Sequence, residues 1–345
     1  MCNISGYIGN RRAAPILIEM MKKQEGYCAG YYTGITTIHE GKLYTAKVIG
    51  DMQTFLAQTD AINFPGNIGF IHSRSKSGGD VRWGHPFLSM DGNLSLILNG
   101  ARCKYKDICD VNKAVYFLQD QGFVFDTEST PCDAASDHAK LRNGMQVHAS
   151  EIICHFTDYY LKKESLPVHL ALEKAFLETP SEIVALTLHT SIPDTISYAK
   201  FNMPMALART KDEVFLSSFS ICFPEDREYI SLEELPASSS GAITLEETRI
   251  HRFISPIEMG RMTPQLLHDA FEIVQHTLKT KGAQDIGQLN DAVRGLWGDA
   301  VDLRYPAVFG SLKELHDQGK LQTIVEYVDG VEPGTKVPYF KVALK

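Results

Sequence analysis

The strongest constraint on this fold is the start of the chain, where a cysteine stands directly before a short apolar segment. Residues 2–8 follow the pattern of a buried β-strand, which would carry Cys2 to the interior. If Met1 is removed, Cys2 holds both a thiol and a free α-amine, and the amine supplies the base that a nucleophile needs. Methionine is usually removed when a small residue follows. We therefore treat Cys2 as a candidate nucleophile; the alternative is a chance cysteine.

The composition describes an ordinary globular protein. The chain has 345 residues, of which 44% are hydrophobic and 22% charged, a length that predicts two domains or one large domain with an appendage. The net charge of −8 argues against a nucleic-acid surface spread over the whole molecule. We find no apolar run long enough for a membrane span and no signal peptide.

The cysteines give no sign of a metal site. There are seven of them, without a Cys-x-x-Cys pair, so their spacing predicts no zinc. They are typical of reduced thiols in a cytoplasmic protein.

Apolar periodicity predicts sheets at both ends of the first 256 residues, with helices between them. After residue 181 the chain becomes a series of short strands that ends near residue 254. This order favours stacked sheets covered by helix layers, an α+β architecture. The earlier elements are predicted strands at 2–8, 32–38, 42–48, 67–72 and 94–98, and helices at 13–23, 107–121, 150–162 and 167–177.

The pattern changes after Pro256. Thr263 and Pro264 are a typical helix N-cap and first-turn pair. Three helices are predicted at 264–280, 285–296 and 306–318, followed by strands at 321–328 and 336–344 around a turn at 329–334. This order is similar to a winged-helix domain, so we predict two domains, 2–256 and 261–345.

The predicted second domain does not have the charge of a nucleic-acid-binding module. Residues 261–345 carry 10 Lys and Arg against 11 Asp and Glu. We therefore expect this segment to pack on the first domain, to dimerise or to dock a partner, and not to bind nucleic acid.

Six motifs in order resemble the class II glutamine amidotransferases, which are N-terminal-nucleophile (Ntn) hydrolases, and in particular the glutaminase domain of glucosamine-6-phosphate synthase. The opening Met-Cys-Asn-Ile-Ser-Gly-Tyr-Ile-Gly is one of them, and the resemblance covers roughly residues 2–253. The others are Gly-Tyr-Cys-Ala-Gly at 26–30, Gly-Phe-Ile-His-Ser-Arg at 69–74, His-Pro at 85–86, Leu-Asn-Gly at 98–100 and Ser-Glu-Ile-Ile at 150–153.

The resemblance implies a four-layer αββα sandwich and a thioester mechanism. Cys2 would attack a glutamine side-chain amide and release ammonia, with Asn99 and Gly100 donating hydrogen bonds to the oxyanion. Taken alone, an Asn-Gly pair after a strand is more typical of a type I′ hairpin turn. No metal or organic cofactor is implied.

The resemblance also implies a substrate-binding set. Arg74 would bind the α-carboxylate, since a guanidinium matches a carboxylate bidentately. His72, Ser73 and His85 belong to the same motifs, and we expect the two histidines to be structural hydrogen-bonding residues and not acids or bases.

Ala149 departs from the family pattern, which places there an aspartate that holds the substrate α-ammonium. Cys2 is therefore predicted to be a nucleophile, but its substrate is left open between glutamine and another small amide. The alternative is a regulatory protein that keeps the fold without turnover. Residues 124–149 resemble an insertion, and among them Asp133, Asp137 and His148 are candidates to replace the aspartate. Any ammonia acceptor would be a separate chain, and a homo-oligomer is an open expectation.

Overall fold

The computed structural model describes residues 2–75, 79–129, 138–329, 334 and 336–345. Seventeen strands lie in this part of the chain. They are β1 Asn3–Gly9, β2 Tyr32–His39, β3 Lys42–Ile49, β4 Ile68–Arg74, β5 Phe87–Leu88, β6 Leu94–Ala101, β7 Ala139–Lys140, β8 Gln146–Val147, β9 Glu182–His189, β10 Ile196–Lys200, β11 Ala206–Arg209, β12 Glu213–Ser217, β13 Ser231–Glu234, β14 Ser239–Ile243, β15 Thr248–Arg252, β16 Leu321–Asp329 and β17 Lys336–Leu344.

The same part of the chain forms eight α-helices. They are α1 Ala13–Gln24, α2 Met52–Gln58, α3 Val111–Asp120, α4 Ala149–Glu164, α5 Val168–Glu178, α6 Pro264–Lys281, α7 Ile286–Val293 and α8 Arg304–Asp317. Within the described chain no helix is both long and apolar enough to cross a lipid bilayer.

Two antiparallel sheets face each other across an apolar core. The first has the strand order β13-β11-β12-β1-β4-β2-β3, and the second has the order β15-β14-β10-β9-β6-β5. Ile4 and Phe70 of the first sheet pack in one cluster with Ile97 and Leu186 of the second. This buried cluster holds the two sheets together.

Helices cover the outer faces of both sheets. Residues of α1 and α2 pack with Tyr7 and Phe215 on the outside of the first sheet. Residues of α3, α4 and α5 pack with Leu96 and Ala185 on the outside of the second. The layers are therefore helix, sheet, sheet, helix, which confirms the α+β architecture.

Strand β1 shows why the start of the chain could be recognised. It lies between β12 and β4, and all seven of its residues are buried. Ile4 and Ile8 pack between the sheets, whereas Tyr7 packs on the helix side. A strand covered on both faces needs an apolar run, and that is the pattern that predicted it.

The C-terminal segment, residues 261–345, has its own apolar core and rests on the first sheet's loops. Helices α6, α7 and α8 bury Val274, Leu289 and Leu312 together, and the hairpin β16–β17 adds Val342. Tyr27 and Phe219 of the preceding region belong to the same cluster. The predicted order of three helices and a hairpin is confirmed, while the winged-helix assignment stays a prediction; most of the turn at 329–334 lies outside the described residues.

The sequence patterns missed helix α2, strand β13 and the two-residue strands β5, β7 and β8. Helix α2 has only seven residues, and its signal is Asp51, whose side chain accepts a hydrogen bond from Thr54 N at 2.8 Å. Strand β13 is a mostly exposed edge strand beside β11, so it lacks the apolar alternation of its neighbours.

Candidate active site

A cavity of about 610 Å³ opens where β1 begins, β6 ends and α4 starts. Cys2, Asn99 and Gly100 line it, together with Arg74 and His85. Five of the seven residues that the sequence singled out are therefore brought together.

Cys2 is held at the cavity by the residue that follows it. Asn3 is fully buried, and its side-chain amide donates to Cys28 O at 3.0 Å while its Oδ1 accepts from Cys28 Sγ at 2.9 Å. The next backbone N–H, that of Ile4, donates to Ser218 Oγ at 3.0 Å. The cysteine is half-buried and is fixed from its C-terminal side.

Asn99 is the direct partner of Cys2. The backbone nitrogen of Cys2 donates to Asn99 Oδ1 at 3.2 Å. Asn99 is fully buried, and its Nδ2 finds no hydrogen-bond partner among the described residues. A buried amide donor without a partner costs free energy unless a ligand satisfies it.

Gly100 lies within a strand and not in a hairpin turn. Asn99 and Gly100 pair with Val184 and Ile183 of β9, so the turn interpretation of this Asn-Gly pair is wrong. Gly100 has φ +133°, and a Cβ there would lie 2.0 Å from Glu182 O. Only glycine fits, and its backbone is left next to the nucleophile without a covering side chain.

Arg74 is a buried cation at the end of β4. Its side chain is almost fully buried; Nη1 donates to Trp83 O at 2.8 Å, and the guanidinium lies 4.9 Å from the ring centroid of Tyr32. These contacts fix the guanidinium plane at the cavity wall. Ser73, the preceding residue, accepts a hydrogen bond from Gly30 N through its Oγ at 2.9 Å and is not among the lining residues.

Three buried histidines stand behind and beside this wall. The rings of His72 and His85 lie 3.9 Å apart, His72 Nε2 is 3.0 Å from Leu98 O, and His85 Nε2 is 2.9 Å from Ser150 Oγ. Burial lowers the pKa of His72 to about 3 and lowers those of His85 and His148 well below the usual value. All three are neutral at pH 7.

His72 is not among the residues that line the cavity. Its position behind His85 fits the structural role that we expected for it.

The first turn of α4 completes the wall at the position of the missing aspartate. Ala149 and Ser150 line the cavity, and His148 caps the helix by accepting from Ser150 N at 3.1 Å through Nδ1. Asp133 and Asp137, the other candidates to replace the aspartate, lie outside the described residues.

Sequence reasoning missed the far wall. Arg102 and Lys106 follow β6, and Tyr305 comes from α8 in the C-terminal segment. Glu182 lies at the start of β9, opposite Ala101. No local pattern marks Tyr305. It reaches the cavity only because the C-terminal segment packs on the two-sheet region that precedes it.

Comparison with known proteins gives glutamine–fructose-6-phosphate aminotransferases among the similar sequences. No family model matches the chain. It is 26% identical over 227 residues to the glutamine–fructose-6-phosphate aminotransferase of Pyrococcus horikoshii, covering 63% of this chain and 32% of that protein. With the enzyme of the same name from Helicobacter pylori it is 26% identical over 252 residues, covering 71% and 36%.

Solved structures give the same fold. A glutamine phosphoribosylpyrophosphate amidotransferase from B. subtilis superposes with a TM-score of 0.60 at 14% identity, over 94% of this chain and 66% of that one. An allosteric regulatory enzyme of purine biosynthesis superposes with a TM-score of 0.61 at 14% identity, over 99% and 71%.

The chain is similar to the class II glutamine amidotransferases in sequence and in fold. It spans about a third of the length of the two aminotransferases named above.

Proposed function

We propose that this protein is an amidohydrolase of the glutamine amidotransferase type, which hydrolyses a glutamine side-chain amide and releases ammonia. The observation that carries the proposal is the Cys2–Asn99 pair. Asn99 uses Oδ1 to hold the nitrogen of Cys2 and keeps a buried Nδ2 donor beside the nucleophile.

The chemistry follows from that geometry once Met1 is removed. The α-amine of Cys2 takes the thiol proton, directly or through a water, and Sγ attacks the carbonyl carbon of the amide. Asn99 Nδ2 and the N–H of Gly100 donate to the oxyanion. The carbon–nitrogen bond breaks, the amine returns the proton to the leaving ammonia, and a thioester remains on Cys2. Water then attacks the thioester, which restores the thiol and yields the acid.

The substrate-binding roles are part of the same proposal. Arg74 binds a carboxylate of the substrate at the cavity wall. His85 orients Ser150, while His72 and Ser73 support the wall from behind. The buried, neutral state of the histidines supports a role in positioning and not in proton transfer.

We propose that any ammonia acceptor is a separate chain. We propose that residues 2–256 form the glutaminase-like domain and residues 261–345 a winged-helix-like domain that docks partners or a second copy. The bridge between Gln284 and Val342, which ties the chain between α6 and α7 to the hairpin, supports that assignment. Binding of nucleic acid is not expected from its balanced charge, and a cytoplasmic location stays a prediction from the cysteines.

The experiment is a measurement of ammonia release from side-chain amides by protein whose N-terminal residue has been identified by mass spectrometry. Release that depends on Cys2, with a thioester adduct trapped at the N-terminal peptide, supports the proposal. No release from protein that begins at Cys2 contradicts it and favours a non-catalytic protein that retains the fold.

A second candidate, an amidase for a small amide other than glutamine, is favoured by one observation. Ala149 places no carboxylate on the cavity wall, and Glu151, the acidic residue of the same first turn, does not line the cavity and accepts from Asp126 N at 2.7 Å. Release from amides unrelated to glutamine, with none from glutamine or its derivatives, would select this candidate.

A further inference from the structure

The described cavity wall carries more positive than negative charge. Arg74, Arg102 and Lys106 line it, and Glu182 is the one carboxylate among the described lining residues. Cations of a substrate would be repelled by three like charges, whereas anions and hydrogen-bond acceptors would be attracted.

The carboxylate of Glu182 is already engaged. It is fully buried, and it accepts from Lys104 N at 3.2 Å and from Asn202 Nδ2 at 3.0 Å. Both contacts would be lost if Glu182 turned to a ligand, and Asn202 Nδ2 would keep only its bond to Asp302 O among the described residues. Glu182 is therefore a poor partner for a substrate ammonium.

The start of α4 presents the positive end of its peptide dipoles to the cavity, whereas Glu151 of the same turn does not line it and accepts from Asp126 N at 2.7 Å. Ala149 and Ser150 line the cavity at the N-terminus of a 16-residue helix, the end at which the peptide dipoles place positive charge. An independent feature points the same way: Asn99 is fully buried, lines the same cavity and has an Nδ2 donor without a partner among the described residues.

The histidine at the helix cap also presents a donor. His148 Nδ1 accepts from Ser150 N, so the proton of the neutral ring is on Nε2. Burial first, and then the charge of Arg74, lowers the pKa of His148 well below the usual value. A neutral imidazole in this tautomer offers no free acceptor to an ammonium.

We propose that the site takes glutamine whose α-nitrogen is acylated, with a free α-carboxylate at Arg74, in preference to the free amino acid. Acylation replaces the ammonium by a neutral amide, and the acyl carbonyl supplies an acceptor for the Nε2–H of His148 at the start of α4. The inference rests on the proposed function, because it names the substrate class of the Cys2 site.

The direct test compares N-acetyl-L-glutamine with L-glutamine as substrates of the wild-type protein. We expect kcat/KM to favour the acetylated substrate by about 10- to 100-fold, the range for one charged group left unpaired. Equal or better use of L-glutamine overturns the inference and leaves the proposed function standing. Ammonia from neither substrate, with Cys2 at the N-terminus, overturns both.

A pair of variants tests the cause. Ala149 is an exposed residue of the first helical turn, where Asp and Asn are both well tolerated. Ala149→Asp adds a carboxylate, and we expect it to shift the substrate ratio about tenfold towards L-glutamine. Ala149→Asn has nearly the same shape without the charge and should leave the ratio unchanged. An equal shift in both variants would assign the preference to side-chain size and overturn the electrostatic argument.

Discussion

The backbone nitrogen of Cys2 lies 3.2 Å from Oδ1 of Asn99, although the two residues are separated by 97 positions in the chain. This contact joins the first strand of one sheet to β6 of the other across the core. Because Oδ1 is occupied by the nitrogen of Cys2, Nδ2 is left as the donor for a reacting oxygen. The pair therefore ties the base and the oxyanion site to one side chain.

Cys2→Ala should abolish ammonia release without unfolding the protein. The substitution removes the nucleophile but keeps the contacts of Asn3 and Ile4 that anchor the strand. The measurement is ammonia release together with the thermal midpoint of unfolding. Cys109→Ala is the matched control, since Cys109 is also half-buried but does not line the cavity, and it should stay active. Normal turnover in Cys2→Ala would remove the mechanism.

Asn99 can be tested separately as an oxyanion donor and as a partner of the Cys2 nitrogen. Asn99→Asp keeps the acceptor for that nitrogen but loses the Nδ2 donor, whereas Asn99→Ala loses both. Loss of one oxyanion donor lowers kcat by about 10²- to 10³-fold, and we expect at least this loss in both variants. Single-turnover kinetics measure it. If Asn99→Asp kept the wild-type kcat, Asn99 would only position the nitrogen.

The C-terminal segment should be tied to the site through a short aromatic chain. Phe309 of α8 packs edge-on against Phe219 with the ring centroids 4.6 Å apart, and Phe219 packs against Tyr27 at 5.1 Å. Tyr27 precedes Cys28, which binds Asn3. The buried ring of Phe309 therefore supports both the segment and the nucleophile strand.

Phe309→Ala should lower the free energy of unfolding by about 3–5 kcal/mol, the usual result of truncating a buried phenylalanine. Chemical denaturation measures this loss. Phe117→Ala is the control, because Phe117 is 38% exposed, and we expect a much smaller effect. Equal losses in the two variants would mean that the aromatic chain does not hold the segment.

The sequence predicted what local periodicity determines and missed what long-range pairing determines. The hairpin at His39–Lys42 follows from two alternating runs around Glu40 and Gly41, both with positive φ. The pair Asn99–Gly100 has the composition of a turn but is held extended by Val184 and Ile183 of β9. Its role could be inferred only from motif order.

The cavity shows the same division between local and distant information. Cys2 and Arg74 belong to strands whose patterns are visible in the sequence. Tyr305 of α8 joins them through tertiary packing alone. A charge balance of the cavity could therefore not be drawn from the sequence.

Glu25 predicts a measurable pH dependence of stability. It lies directly before the segment 26–30, and one carboxylate oxygen accepts from Met52 N at 2.8 Å. Burial, with a smaller effect of the Asp51 charge, raises the pKa of Glu25 to about 7. Because the folded-state pKa lies above the unfolded value, the contribution of this group to stability is present at low pH and is lost as the pH rises from about 4.5 through about 7.

Glu25→Gln should therefore flatten this dependence. Glutamine is neutral at every pH and can still accept from Met52 N, so the variant avoids burying a charge. Relative to wild type, we expect a gain of about 1–3 kcal/mol in the free energy of unfolding at pH 8 that disappears near pH 4.5. Urea denaturation at the two pH values measures the difference.

Glu19→Gln is the control on α1, the helix that Glu25 follows, because Glu19 is largely exposed and pairs with Lys22 at the surface. Its effect on stability should be small and similar at both pH values. A Glu25→Gln variant whose stability relative to wild type did not change between pH 4.5 and pH 8 would show that Glu25 titrates normally in the folded protein. In that case the carboxylate would be solvated, and the segment that holds Cys28 against Asn3 would be less closely packed than the structure indicates.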